Sequence, residues 1–321
     1  VRQAHPAGRS AARAGAAMSG QRIGFIGLGN MGGRMTRRLV EAGHPVLGFD
    51  PVPGRAAAAG AITAASVTEV VRGSDCILLS LPDSSVIEPV VRGAGGVLAA
   101  GRAGQVLVDL STAAPSSTIA LHAELARRAI EFLDAGISGG AAAAERGTLT
   151  IMVGGSAAAL ESISWVLAPI ASKVVHMGTP GSGHTTKVLN NFLNAVSLAA
   201  TAEVMLAARK AGLDLGRVLD VINASSGVNF ASLNRFPHLI HGDYLEGGLT
   251  SALMTKDISL YVACLAELGV PSLLSAGPLA AFGLADSLGY RDQISNRVVD
   301  ALGDLAGGVR LSEPGSGRRG E

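Results

Sequence analysis

The stretch Arg22-Ile-Gly-Phe-Ile-Gly27-Leu-Gly-Asn-Met-Gly32 decides how the first half of this chain is read. Its apolar run has the length of a buried strand, and Met31 to Ala42 has the periodicity of a helix. Between them Gly27, Gly29 and Gly32 fall at the spacing G-x-G-x-x-G. The first glycine permits a tight turn. The second removes a side chain where a pyrophosphate must approach, and the third lets helix and strand pack closely. Leu28, Asn30 and Met31 fill the turn, and the helix N-terminus offers free amides and a positive dipole end to phosphates. A second strand, Val46 to Asp50, ends in a carboxylate placed to meet the adenosine ribose. The plain alternative is a structural turn beside a solvated Asp. Strand, spacing, helix and acid together favour a dinucleotide. The charge of Asp50 repels a 2′-phosphate, so NAD is expected over NADP, with nearby Arg55 softening the preference.

Outward from this turn, apolar runs alternate with amphipathic stretches. Ile77 to Leu81, Val106 to Leu110, Glu131 to Ala135 and Leu149 to Val153 read as further strands. This βαβ alternation predicts an α/β fold with a mostly parallel sheet of the Rossmann type. After about residue 180 the strand signal stops. Thr185 to Ala211 reads as one long helix, followed by helices over Leu213 to Asn223, Thr250 to Leu268, Ser275 to Ser287 and Ile294 to Leu302. The Gly/Pro-rich turn 178–183 marks the boundary. The expected organisation is a dinucleotide-binding domain over 21–180 and an all-helical domain over 181–306, joined by the long helix. Residues 1–20 have no acidic side chain and read as a disordered extension, with Met18 the natural start. Residues 307–321 read as a disordered tail.

Composition narrows the class. The chain has 321 residues, 48% hydrophobic and 16% charged, with a formal net charge of +1. This gives no electrostatic case for nucleic acid or an anionic membrane. No window reads as a spanning segment; the best, Phe192 to Ala208, holds Asn194 and Glu203. Two cysteines, Cys76 and Cys264, make no disulfide framework, so a reducing, cytoplasmic setting is expected. His238, His241 and Asp243 lack the support a metal site needs and fall in what reads as a polar loop; no metal is expected. His184 reads as a helix N-terminal residue and Trp165 as core.

Two polar sets remain. Lys187, Asn191 and Asn194 lie on one face of the long helix, with Asn190 beside them. Such a set is either a solvated stripe or a site, and a partly buried lysine can be tuned to move a proton. Ser138, Gly139 and Gly140 follow a strand and could cradle a carboxylate with backbone amides and a hydroxyl; an ordinary turn is the alternative.

Four segments resemble the β-hydroxyacid dehydrogenase family, the group of 3-hydroxyisobutyrate dehydrogenase, tartronate semialdehyde reductase and threonate dehydrogenase. They are Gly24-Phe-Ile-Gly-Leu-Gly-Asn-Met-Gly32, Asp134-Ala-Gly-Ile-Ser-Gly-Gly140, Gly181-Ser-Gly-His-Thr-Thr-Lys-Val-Leu-Asn-Asn191 and Lys256-Asp257. Gly136 departs from the pattern, which has proline there. The resemblance implies an NAD-dependent oxidoreductase that oxidises a short 3-hydroxy acid, or reduces the matching semialdehyde. It implies that Lys187 is the acid/base, that Asn191 and Ser138 assist, and that Ser138, Gly139, Gly140, Asn190 and Asn191 hold a small hydroxy-carboxylate. It places cofactor contacts at Leu81, Pro82, Val86 and Thr112, with Lys256 closing over the nicotinamide end and Asp257 as its structural partner. A homodimer or homotetramer is implied. An imine reductase-like NADPH enzyme is the rival, and Lys187 argues against it. A non-catalytic nucleotide-binding module is a second rival, and the Lys187, Asn191 and Ser138 set argues against that.

Overall fold

The computed structural model describes residues 20–312. The expectations for the extension up to residue 19 and for the tail from 313 lie outside the described residues. Eight strands form one sheet: β1 (Ile23–Ile26), β2 (Val46–Phe49), β3 (Ile62–Thr63), β4 (Cys76–Leu79), β5 (Val106–Asp109), β6 (Glu131–Ser138), β7 (Leu149–Gly154) and β8 (Ala171–Gly178). Their order is β3-β2-β1-β4-β5-β6-β7-β8. Strands β1 to β6 pair in parallel; β7 runs antiparallel to β6, and β8 parallel to β7. The chain direction across the sheet reverses between β1 and β4, where open α/β sheets bind ligands beyond the strand carboxyl ends.

Burial follows the period of two. Ile23, Phe25, Cys76, Leu78, Val106 and Val108 pack on one face. Ile26, Ile77, Leu79 and Leu107 pack on the other. Both faces are covered, which is why these strands read as continuous apolar runs. The sequence reading missed β3 and β8. The first has two residues; the second is a polar edge strand, largely exposed, which needs only backbone pairing to β7.

The long helix covers Ser182–Lys210, starting three residues before the expected point. It packs on β6, β7 and β8 and on helices Phe230–Asn234, Ser251–Glu267 and Val298–Leu305. Against the sequence reading, this helix is long and apolar enough to cross a membrane by length and composition; 56% of its most apolar window lies buried inside the molecule. Its Phe192, Ala195, Leu198, Ala202 and Met205 form the core of the helical half with Phe236, Met254, Ile258 and Phe282. Two expectations change here. His238 belongs to a short helix, Phe236–Leu239, not to a loop. The segment from Gly307 to Ser312, expected to fray, packs instead: Leu311 is buried in the helical core, and Arg310 pairs with Asp304. Two apolar side chains after a glycine pair, Val309 and Leu311, dock it on the core. Trp165 is half-buried at the core margin and donates to Gln21 Oε1.

Candidate active site

At the end of β1 the three glycines have three different surroundings. Gly27 has φ +89°, and a Cβ there would lie 2.3 Å from the Ser80 carbonyl oxygen. A Cβ on Gly32 would lie 1.9 Å from the Gly27 carbonyl oxygen, so helix and turn touch directly. A Cβ on Gly29 would meet only Arg55 Nη1, at 3.9 Å. The space above Gly29 is therefore open, and the first turn of helix Asn30–Glu41 has no side-chain cap. Uncapped amides beside an open Cα fit a pyrophosphate. Asp50 is held rigidly: it accepts from Leu28 N at 2.7 Å and Val52 N at 2.8 Å, and Arg55 Nη1 lies 3.2 Å away. Arg55 thus sits on the carboxylate instead of standing apart from it. A groove of about 220 Å³ adjoins, lined by Leu28, Gly29, Asn30, Arg34, Arg37 and Arg55 among others. Met31 follows Asn30 in the first turn of the helix, half-buried against the sheet core. Asn30 Nδ2 reaches Gly247 O in the helical half at 2.6 Å.

The long helix is positioned by Asp134, a buried residue of β6. Its two oxygens accept from the amides of Gly181 and His184, both at 2.8 Å. The strand then runs alongside the helix. A Cβ on Gly136 would lie only 2.5 Å from Lys187 Cβ, so the lysine stem rests on bare backbone. Two strand residues rise about 6.6 Å, which four to five helical residues match. Continued at the same pitch, Ser138 comes level with Asn191 and Phe192. Gly139 follows at φ +126°, a conformation glycine adopts freely, and turns the chain into helix Gly140–Arg146.

Lys187 is half-buried. Burial pulls its ammonium down to about 8, the charge of Asp257 opposes that, and the charge of Lys256 adds to it. Asn191 is buried and donates through Nδ2 to Asp257 Oδ2. Asp257 Oδ1 lies 3.1 Å from Lys256 Nζ. Lys256 in turn donates to Pro82 O at 2.8 Å and Thr112 O at 3.3 Å. The helix Ser251–Glu267 is thereby tied to the ends of β4 and β5, where Leu81 N donates to Ser111 Oγ and Val86 is exposed. Asn191, Asp257, Lys256, Pro82 and Thr112 form one bonded set, and Lys187 feels the charges of Asp257 and Lys256; Asn190 is exposed beside it.

Sequence reasoning missed three parts of this. Asp134 was only a letter in a motif, although it caps the helix. Asp257 is more than a neighbour of Lys256, because it also fixes the Asn191 amide. Arg235 was not singled out; it donates to Asn194 Oδ1 at 2.9 Å on the face that carries Lys187 and Asn191. His184 is fully buried, with Nδ1 2.8 Å from Thr118 Oγ1 and Nε2 3.2 Å from Asp109 O, and serves packing. His238 and Asp243 form an exposed pair at 3.1 Å. Among the described residues no three His, Cys, Asp or Glu side chains converge as metal ligands.

A mostly parallel sheet with a glycine turn at its switch point and an all-helical second half define a nucleotide-dependent oxidoreductase of two parts. Residues 22–178 match the family model described as the NAD binding domain of 6-phosphogluconate dehydrogenase. Residues 181–302 match the NAD-binding model of NADP-dependent 3-hydroxyisobutyrate dehydrogenase. The chain is similar to 2-(hydroxymethyl)glutarate dehydrogenase of Eubacterium barkeri, 38% identical over 84% of this chain and 92% of that protein. It is similar to the NAD-dependent L-serine dehydrogenase of Pseudomonas aeruginosa, 37% identical over 75% of this chain and 84% of that one. A solved structure of Mycobacterium tuberculosis 3-hydroxyisobutyrate dehydrogenase with L-serine superposes with a TM-score of 0.79. It is 33% identical and covers 88% of this chain and 99% of that one. The chain belongs to the β-hydroxyacid dehydrogenase family. It is an NAD-dependent oxidoreductase acting on the hydroxyl group of a hydroxy acid.

Proposed function

We propose that this enzyme oxidises a short 3-hydroxy acid, or reduces the matching semialdehyde, with Lys187 as the group that moves the hydroxyl proton. The observation that carries the reading is Lys187 itself: a desolvated lysine near pKa 8 on the helix face that also carries Asn191. NAD, when bound, supplies the hydride acceptor. The open turn at Gly27 to Gly32 and the carboxylate of Asp50 are the residues fit to hold it. Neutral Lys187 accepts the hydroxyl proton in oxidation, and its ammonium returns it in reduction. Ser138, Gly139 and Gly140 cradle the substrate carboxylate with a hydroxyl and backbone amides. Asn191, oriented by Asp257 through Nδ2 and accepting from Asn190 Nδ2 at 3.5 Å through its carbonyl, directs its remaining amide hydrogen at the substrate. Lys256 holds the helical half against Pro82 and Thr112. The relatives are named for 2-(hydroxymethyl)glutarate, 3-hydroxyisobutyrate and L-serine. All three contain a hydroxymethyl group next to the carbon that bears a carboxylate, which supports a 3-hydroxypropionate unit as the reacting part.

A cytoplasmic setting and a homodimer or homotetramer complete the proposal. Two unpaired cysteines suit the first. Exposed Leu193, Val221, Leu273 and Leu274 suit the second. The test is NADH formation with a panel of 3-hydroxy acids and their methyl esters. The reading predicts turnover of acids and at least a tenfold loss with esters; equal turnover of an ester would remove the carboxylate cradle.

A further inference from the structure

Lys256 is not the only group by which the helical half reaches the carboxyl ends of the strands. Just before helix Ser251–Glu267 the chain crosses to the glycine turn after β1, where Gly247 O accepts from Asn30 Nδ2 at 2.6 Å. Arg34 Nε donates to Asn30 Oδ1 at 3.2 Å. The Asn30 amide is thus fixed at both ends, its nitrogen toward Gly247, with one N–H left over. Asn30 opens the uncapped helix whose amides suit a pyrophosphate, and it follows the open Cα of Gly29.

The crossing segment, Tyr244 to Leu249, has no regular structure of its own. Asn296 Nδ2 donates to Tyr244 O at 2.9 Å, and Ser295 N donates to Leu249 O at 2.8 Å, so both ends are pinned. Arg297 grips the residues between. Its guanidinium carbon lies 3.5 Å from the centroid of the Tyr244 ring, and its Nη2 lies 3.3 Å from Glu246 Oε1. Its Nη1 donates to Asp300 Oδ2 at 2.9 Å, and Tyr244 Oη donates to Asp300 Oδ1 at 2.7 Å. Between Tyr244 and Glu246 the backbone of Leu245 has φ +55°. A leucine rarely adopts that conformation, and it persists only where the surroundings impose it. Arg297 holds both flanking residues and so imposes the bend, which carries Gly247 to Asn30.

We infer that Tyr244 to Leu249 is a clasp on the dinucleotide site: Gly247 latches onto Asn30, Arg297 is the positioning residue that shapes the clasp, and opening of the latch governs how fast the dinucleotide leaves. Latched, the Asn30 amide is oriented and its remaining N–H is available to the pyrophosphate. Unlatched, the amide turns freely and that donor is no longer aimed. The inference rests on the reading of Gly27 to Gly32 as the seat of NAD and adds the element that retains it; no part of it depends on the identity of the substrate.

The test needs only cofactor fragments. In Arg297→Met, affinities for NADH and ADP-ribose should fall about three- to tenfold, the scale of one net hydrogen bond, and NADH release in stopped flow should quicken by a similar factor. AMP has no pyrophosphate, so its affinity should stay within about twofold. Asn30→Ala should weaken ADP-ribose as well, and the double variant should lose little more than the weaker-binding single one, because both act through one latch. Tyr244→Phe, which keeps the ring under Arg297 and removes only the bond to Asp300, should show the same pattern on a smaller scale and serves where Arg297→Met does not fold. Unchanged NADH release in the folded variants would overturn the inference. So would equal weakening of AMP and ADP-ribose, or additive losses in the double variant, since either would make Arg297 a part of the general framework. Failure of the wild-type protein to bind NADH or ADP-ribose at all would overturn the seat of NAD along with the clasp.

Discussion

Lys187 has one neighbour that can be enlarged only if backbone or lysine stem shifts. Gly136 puts bare backbone against its stem, and Gly136→Ala forces a Cβ to within 2.5 Å of Lys187 Cβ. We expect this variant to lose about tenfold or more in kcat with little change in NAD affinity, because misplacing a reacting group by about 1 Å is that costly. Unchanged kcat would show that the lysine stem yields freely. The protonation of Lys187 sets a second expectation. Burial lowers it, so the neutral base becomes available as pH rises. The oxidation rate should climb through an inflection near pH 8 and level off above it, and the reduction rate should do the reverse. The same shift bears on stability. The folded group sits below its unfolded value of about 10.5, so the desolvated ammonium costs stability in full below about pH 8, and the cost fades as pH rises from there toward 10.5. Lys187→Met should therefore raise the thermal midpoint at pH 7, and by less at pH 10. A midpoint gain that is the same at both values would separate the effect from protonation.

At the scale of elements, the glycine turn and the late helix divide the work. Gly29→Ala places a methyl where only Arg55 Nη1 is near, so folding should survive while NAD binding weakens. Gly32→Ala drives a methyl into the Gly27 carbonyl and should cost stability, typically about 1–3 kcal/mol for overpacking. Thermal midpoints and NAD affinities of the two variants separate these outcomes; equal behaviour would mean that the turn has no division of roles. Lys256→Met removes both hydrogen bonds from helix Ser251–Glu267 to the strand ends. Faster amide exchange at Pro82-flanking residues and Thr112, with reduced kcat, is the expected result; unchanged exchange would show that the tie is incidental. The turn was readable from the sequence because glycine spacing, strand and helix are local patterns. The tie was not, since Pro82, Thr112 and Lys256 are far apart in the chain and meet only through packing. Likewise Asp134 looks ordinary in sequence, and only the crossing of β6 and the long helix turns it into a cap.

For the whole molecule, the alternation of the first half and the helical periodicity of the second predicted an α/β fold with a helical partner, because burial on both sheet faces leaves apolar runs. Edge strand β8 escaped, since an exposed strand needs no apolar pattern, and so did Val309 and Leu311, two apolar anchors in a polar tail. The site spans both halves: the glycine turn and strand ends come from one, Lys187, Asn191 and Asp257 from the other. Its central claim is that Lys187 moves the proton while the dinucleotide is held elsewhere. The direct test is kcat for a 3-hydroxy acid together with NAD affinity in Lys187→Ala. The account predicts a loss of about 10²- to 10⁴-fold in kcat with NAD affinity and fold retained. A near-wild-type kcat would contradict it, and lost NAD affinity would make Lys187 a part of the framework.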